Sequence, residues 1–109
     1  MKIIYNNILP KKGYIAINIC GVLFARKEYK PVTERTINHE AIHSRQIFEM
    51  LIVFFYLWYA IEWIIRLIQY RNTKLAYRNI SFEREAYANQ LDMDYLKSRG
   101  WYNYMTYIF

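Results

Sequence analysis

The stretch His39-Glu40-Ala41-Ile42-His43 decides how this chain is read. On a helix, side chains four residues apart lie nearly one above the other, so the two imidazoles can converge on one point. That point suits a zinc ion. Zinc takes neutral imidazole nitrogens at about 2.0 to 2.1 Å, and its catalytic sites use three protein ligands with the fourth position left to water. Glu40 is turned off the line joining the histidines, where a carboxylate reaches that water without ligating the metal; its expected role is general base. The motif fixes only three positions, and the plain alternative is a solvated helix face. Two features favour zinc. Both histidines of the chain fall in this stretch, and the carboxylate-rich segment Phe82-Glu83-Arg84-Glu85-Ala86-Tyr87 follows where a third ligand should lie.

Working outward, no proline or glycine occurs between Pro31 and Gly100, which argues for helices throughout. Thr33 or Thr36 can cap the first, which carries the motif on to about Glu49. Met50 to Ile61 then reads MLIVFFYLWYAI without a charge, and Glu62 and Arg66 beyond it are spaced to pair. A spanning helix wants about twenty apolar residues. The run falls short, so residues 50–68 are expected to form a helix buried in the domain or lying against a membrane surface. Tyr70 to Asn79 reads as a loop or short irregular helix. Ser81 is the expected cap of a last helix running from Phe82 to about Arg99, ended by Gly100. The aromatic tail, Trp101 to Phe109, either packs on the core or lies in a cleft.

Ahead of the motif, Ile3 to Leu9 is a short apolar segment closed by the turn Pro10-Lys11-Lys12-Gly13. Tyr14 to Ala25 reads as a strand or strand pair with a bend or bulge at Gly21. A strand just before a zinc-binding helix can hold an extended peptide along its free edge, or simply cover the helix.

With 109 residues the chain makes one domain, and with 55% hydrophobic and 19% aromatic residues disorder is excluded. Twelve tyrosines suit a core lying close to the surface, or a membrane interface. The charge of +6 attracts acidic partners weakly. The lysines and arginines form no dense stripe, so no nucleic acid is expected. Cys20, the single cysteine, reads as a small buried residue on an apolar strand. No long apolar run precedes Pro10; the expected location is cytoplasmic, with membrane association through residues 50–68 as an addition.

The third zinc ligand must be a carboxylate, since no histidine remains. Glu83 and Glu85 both qualify, and two residues apart on a helix they point about 200° apart, so only one can face the metal. An apolar stripe of Phe82, Ala86, Met93 and Leu96 has Glu85 at its edge and Glu83 further round, which does not decide between them.

HEAIH followed by EREA (Glu83 to Ala86) resembles the gluzincin zinc metallopeptidases, in particular the small minigluzincins and the peptidase domains of beta-lactam sensors. In that family the first glutamate of ExEA is the ligand, which implies Glu83. A second family pattern, Glu, two variable residues, a small residue and then Asp or Asn, instead fits Glu85 with Ala88 and Asn89. Glu83 is taken as the ligand, with Glu85 as the alternative. The resemblance covers the two motif segments and not the N-terminal third. Together with the strands and helices read from the residues, it gives an expected α+β, mostly helical domain, residues 1–109, with a small N-terminal β-strand region packed on a zincin-like core of about three helices. It also implies cleavage of internal bonds in a peptide or protein substrate, with Zn2+ polarising the carbonyl and Glu40 as base; the oxyanion then needs a second stabiliser, and among the many tyrosines Tyr87 is a candidate if Glu83 is the ligand. Minigluzincins block themselves with terminal segments, which makes Trp101 to Phe109 a means of latency. The alternative is a catalytically silent gluzincin-like sensor or binding module.

Overall fold

Three short strands open the chain in a computed structural model that describes residues 2–109. Strands β1 (Ile3–Asn6), β2 (Ala16–Ile19) and β3 (Val22–Arg26) form a sheet in the order β1-β3-β2, with β1 parallel and β2 antiparallel to β3. Tyr14 to Ala25 is therefore a strand pair. Cys20 and Gly21 turn it, with φ of 51° and 90°, the positive values a tight two-residue hairpin requires. The expectation of a buried Cys20 is corrected: it is exposed, because the tip of a hairpin has no layer above it. The inner face of the sheet closes on Leu23, Ala25 and Val32.

The rest is helical: α1 (Glu34–Glu49), α2 (Val53–Tyr70), α3 (Thr73–Arg78), α4 (Ser81–Asn89) and α5 (Tyr95–Ser98), followed by a 3-10 turn over Asn103–Tyr107. The chain is a mostly helical α+β fold, as expected. Thr33 caps α1, its hydroxyl oxygen accepting from the Thr36 N–H at 3.2 Å. Between α1 and α2 the axis turns by 111°. Leu51 has φ 53°, Ile52 has φ 62° and ψ −65°, and the Val53 N–H donates to the Leu51 carbonyl at 2.6 Å. That is a γ-turn of the rare positive-φ form, made without a glycine.

The main core joins α1, α2, α4 and the tail through Ile47, Phe55, Ile80, Phe82 and Tyr104. The Phe82 ring lies 4.5 Å from Phe55 and 4.4 Å from Tyr104, centroid to centroid. Side chains of this kind contribute about 1.5 to 3 kcal/mol each on full burial. Tyr104 places the tail on the core rather than in a cleft.

Two helices depart from the sequence reading. α2 is not buried in the domain: only Phe55 and Glu62 on it are enclosed, while Phe54, Leu57, Ile61, Ile64, Ile65 and Ile68 face out. The reason is Glu62. Its carboxylate turns inward to accept from the N–H of Ser81 at 2.5 Å and its hydroxyl at 2.6 Å, with Arg66 at 3.5 Å, so the polar side of α2 faces the protein. Among the described residues no single helix is long and apolar enough to cross a membrane.

The last helix is also shorter than expected. Ser81 is its first residue rather than its cap, and it ends at Asn89, not near Arg99. The Asn38 side-chain amide donates to the carbonyls of Asn89, Gln90 and Asp92 at 3.2, 2.9 and 2.9 Å, taking up groups that a continuing helix would have used internally. Met93, read as part of the inner stripe, is consequently exposed.

Candidate metal centre

α1 sets His39 and His43 one turn apart on its buried face, and α4 crosses them with Glu83. His43 Nε2 is 3.2 Å from His39 Nε2, and Glu83 Oε1 is 3.3 Å from His39 Nε2 and 3.0 Å from His43 Nε2. Three ligands bonded at about 2.0 to 2.1 Å to one tetrahedral ion sit about 3.3 to 3.4 Å apart. The observed triangle has nearly that size.

The hydrogen bonds behind these atoms fix their chemistry. Gln46 uses its amide N–H groups on the Phe82 carbonyl (3.2 Å) and Glu85 Oε1 (2.9 Å), so its oxygen is left to accept from His43 Nδ1 at 2.8 Å. His39 Nδ1 meets Gln90 Oε1 at 2.8 Å in the same way. With both Nδ1 atoms donating, each Nε2 presents a lone pair. Glu83 keeps Oε1 for the histidines while Oε2 accepts from the Tyr59 hydroxyl at 2.8 Å. A proton shared between the histidines and Glu83, or a cation among them, satisfies atoms brought this close. The residues fit a divalent metal of the zinc type.

The charges agree. Burial alone would lower the His43 pKa, but the Glu83 carboxylate beside it pushes it up to about 10. Burial would raise Glu83, and the two histidines more than reverse this, holding it below the usual carboxylate range. Glu40 behaves differently. Burial lifts its pKa above the ordinary value despite the opposing pull of His43 and His39. One of its oxygens is 3.9 Å from His39 Nε2, and its carboxylate groups with both histidines within 4.8 Å, so it stands at the centre beside Glu83.

Glu85 points the other way. Arg99 donates to it through Nε at 2.5 Å and Nη2 at 3.1 Å, Tyr95 adds its hydroxyl at 2.5 Å, and Arg99 Nη1 also reaches Glu49 at 2.7 Å. The alternative third ligand is therefore held in a buried ion pair away from the histidines. Tyr87 lies edge-on to His39, centroids 4.5 Å apart, with Arg78 over its ring and its hydroxyl 3.1 Å from that of Tyr77.

A cavity of about 540 Å³ opens on Glu40, His43 and Glu83. Tyr59 and Tyr77 line it, whereas Tyr87 and the tail do not. Its far wall is β2, through Ala16, Ile17 and Asn18. Asn18 ties strand to helix, donating to the Glu40 carbonyl at 2.8 Å and to the Ser44 hydroxyl at 2.7 Å. Among the described residues β2 is an edge strand, paired with β3 along one side and with no strand on the other.

Sequence reasoning missed Gln46, Gln90, Tyr59 and Tyr77. Gln46 had a signal: it follows His43 by three positions and so shares its helix face. Gln90 had none, because it reaches His39 from beyond the end of α4. No protein-family model matches the chain, and neither a curated protein nor a solved structure matches it.

Proposed function

We propose that the chain is a zinc-dependent metallopeptidase of the gluzincin type, hydrolysing internal peptide bonds. The observation that carries this reading is the triangle of His39, His43 and Glu83, with both histidines orientated from behind by glutamine oxygens. Bound there, zinc supplies Lewis acidity toward a scissile carbonyl and lowers the pKa of water. The free edge of β2 offers backbone groups to an extended peptide and sets it along the cavity wall. Glu40, raised in pKa by burial, accepts a proton from the attacking water and delivers it to the departing amine. Tyr77 takes the part that the sequence assigned to Tyr87. It lines the cavity, and burial, then Glu83, keeps its hydroxyl protonated and able to donate to an oxyanion.

The test pairs metal analysis with proteolysis of an unfolded protein. Wild type is expected to hold about one zinc per chain and to cleave; Glu40→Gln is expected to hold zinc and not cleave. A folded chain that takes up no zinc from excess defeats the proposal. Zinc held without cleavage by wild type would favour the silent sensor or binding module.

A further inference from the structure

α2 is built inside out. Its two charged residues, Glu62 and Arg66, turn toward the protein, and its outer face runs Phe54, Leu57, Ile61, Ile64, Ile65 and Ile68, the spacing of one helical stripe. Each of these six is more than half exposed. From Val53 to Ile68 the stripe is about 23 Å long at 1.5 Å per residue, without a charge on it.

Charge says what covers it. Between Gln46 and Leu91 the acids are Glu49, Glu62, Glu83 and Glu85, and all four are buried. The exposed charges nearest α2 in sequence are cationic: Arg45 before it on α1, and Arg71 and Lys74 just after it. A second copy of the chain would set these cations against one another. An anionic lipid surface complements them. Beside the stripe, a second cavity of about 440 Å³ is walled by Phe54, Leu57, Trp58, Ile61 and Tyr102, with the Arg99-paired Glu49 also on its lining, and its apolar side continues the stripe.

We infer that the outer face of α2 is a membrane-docking surface that lies in the plane of an anionic bilayer, with the apolar stripe among the acyl chains and Arg45, Arg71 and Lys74 at the headgroups. Interfacial helices bind in this way, by buried apolar area together with attraction to acidic lipid.

The experiment is flotation of the full chain with vesicles of phosphatidylcholine and with vesicles of an equal mixture with phosphatidylglycerol. The chain should float with the mixed vesicles, weakly with the neutral ones, and less at high salt. The triple variant Leu57→Gln, Ile61→Gln, Ile64→Gln should lower partitioning about tenfold or more while keeping the wild-type circular dichroism. The variant Arg71→Glu, Lys74→Glu, confined to exposed positions, should lose the preference for the anionic vesicles and covers the case in which the triple variant does not fold. Wild type left behind by both vesicles would overturn the inference. So would a dimer, seen by analytical ultracentrifugation and dissociated by the triple variant, in a chain that ignores vesicles.

Discussion

Glu83 and Glu85, two residues apart on α4, are both buried and serve opposite sides of the helix: one meets the histidines of α1, the other Arg99. Their substitutions should separate completely. Glu83→Gln is expected to weaken zinc binding by about a hundredfold or more with little loss of fold. Glu85→Gln should keep the metal and cost about 3 kcal/mol of stability, since it removes one partner of a buried ion pair. Zinc titration and denaturant unfolding on both variants check this; loss of metal in Glu85→Gln alone would reverse the assignment.

Acid titration should report on the ion pair that holds Glu85. Burial opposes ionisation of Glu85, but its bonds from Arg99, Tyr95 and Gln46 prevail and set its folded pKa below the ordinary 4.5. A depressed folded pKa gives stability that is complete above the ordinary value and fades as pH falls through the folded one. The stability gap between wild type and Glu85→Gln should therefore be widest above pH 4.5 and narrow on acidification below it. Unfolding midpoints measured from neutral pH downward test this, and a gap that stays constant would contradict it.

Gln46 and Gln90 both orientate a histidine, but they are not equivalent. Gln46 also satisfies Glu85 and the Phe82 carbonyl in a site closed to solvent. Gln46→Ala is expected to lower zinc affinity about 10- to 100-fold and to destabilise the fold. Gln90→Ala should show the affinity loss with little of the destabilisation. Isothermal titration beside thermal unfolding would reveal whether the two effects part in this way.

The tyrosines give a kinetic contrast. Tyr77 lines the cavity, and Tyr87 reaches it only through the hydroxyl of Tyr77. Tyr77→Phe should reduce kcat about 100-fold with KM little changed, the loss typical of one oxyanion donor. Tyr87→Phe should cost far less. Equal losses, or a larger one for Tyr87→Phe, would restore Tyr87 to the role the sequence suggested.

The joint before α2 offers a stability test. Leu51 is exposed with φ 53°, a conformation that costs a side chain about 1 kcal/mol and glycine nothing. Leu51→Gly should leave stability unchanged or raise it by up to about 1 kcal/mol, as read from denaturant midpoints. A clear loss would mean that the exposed side chain contributes contacts outweighing that strain.

What was legible in the chain was periodic or local. The spacing of His39 and His43 on a helix, the Thr33 cap and the strand pair around Gly21 follow from nearest neighbours. The helical wheel left Glu83 and Glu85 open, and only the family motif favoured Glu83, because Arg99 folding back across α4 to Glu85 is a contact no helical wheel contains. The end of α4 was hidden for the same reason, since Asn38 takes its carbonyls from another helix. Hydrophobicity misled at α2. Apolar composition says that a helix avoids water, not which side it turns to the protein, and here Glu62 decides that by binding Ser81.

The C-terminal segment bears on how latency could be examined. Cutting the chain after Gly100 would delete Tyr104 from between Phe82 and Trp58, and would strip Arg84 of the Tyr107 and Ile108 carbonyls it holds. Such a shortened protein would be silent because it had come apart, and its silence would say nothing about self-inhibition. These final residues serve as a brace, and the proposed latency has to be tested by loosening something else.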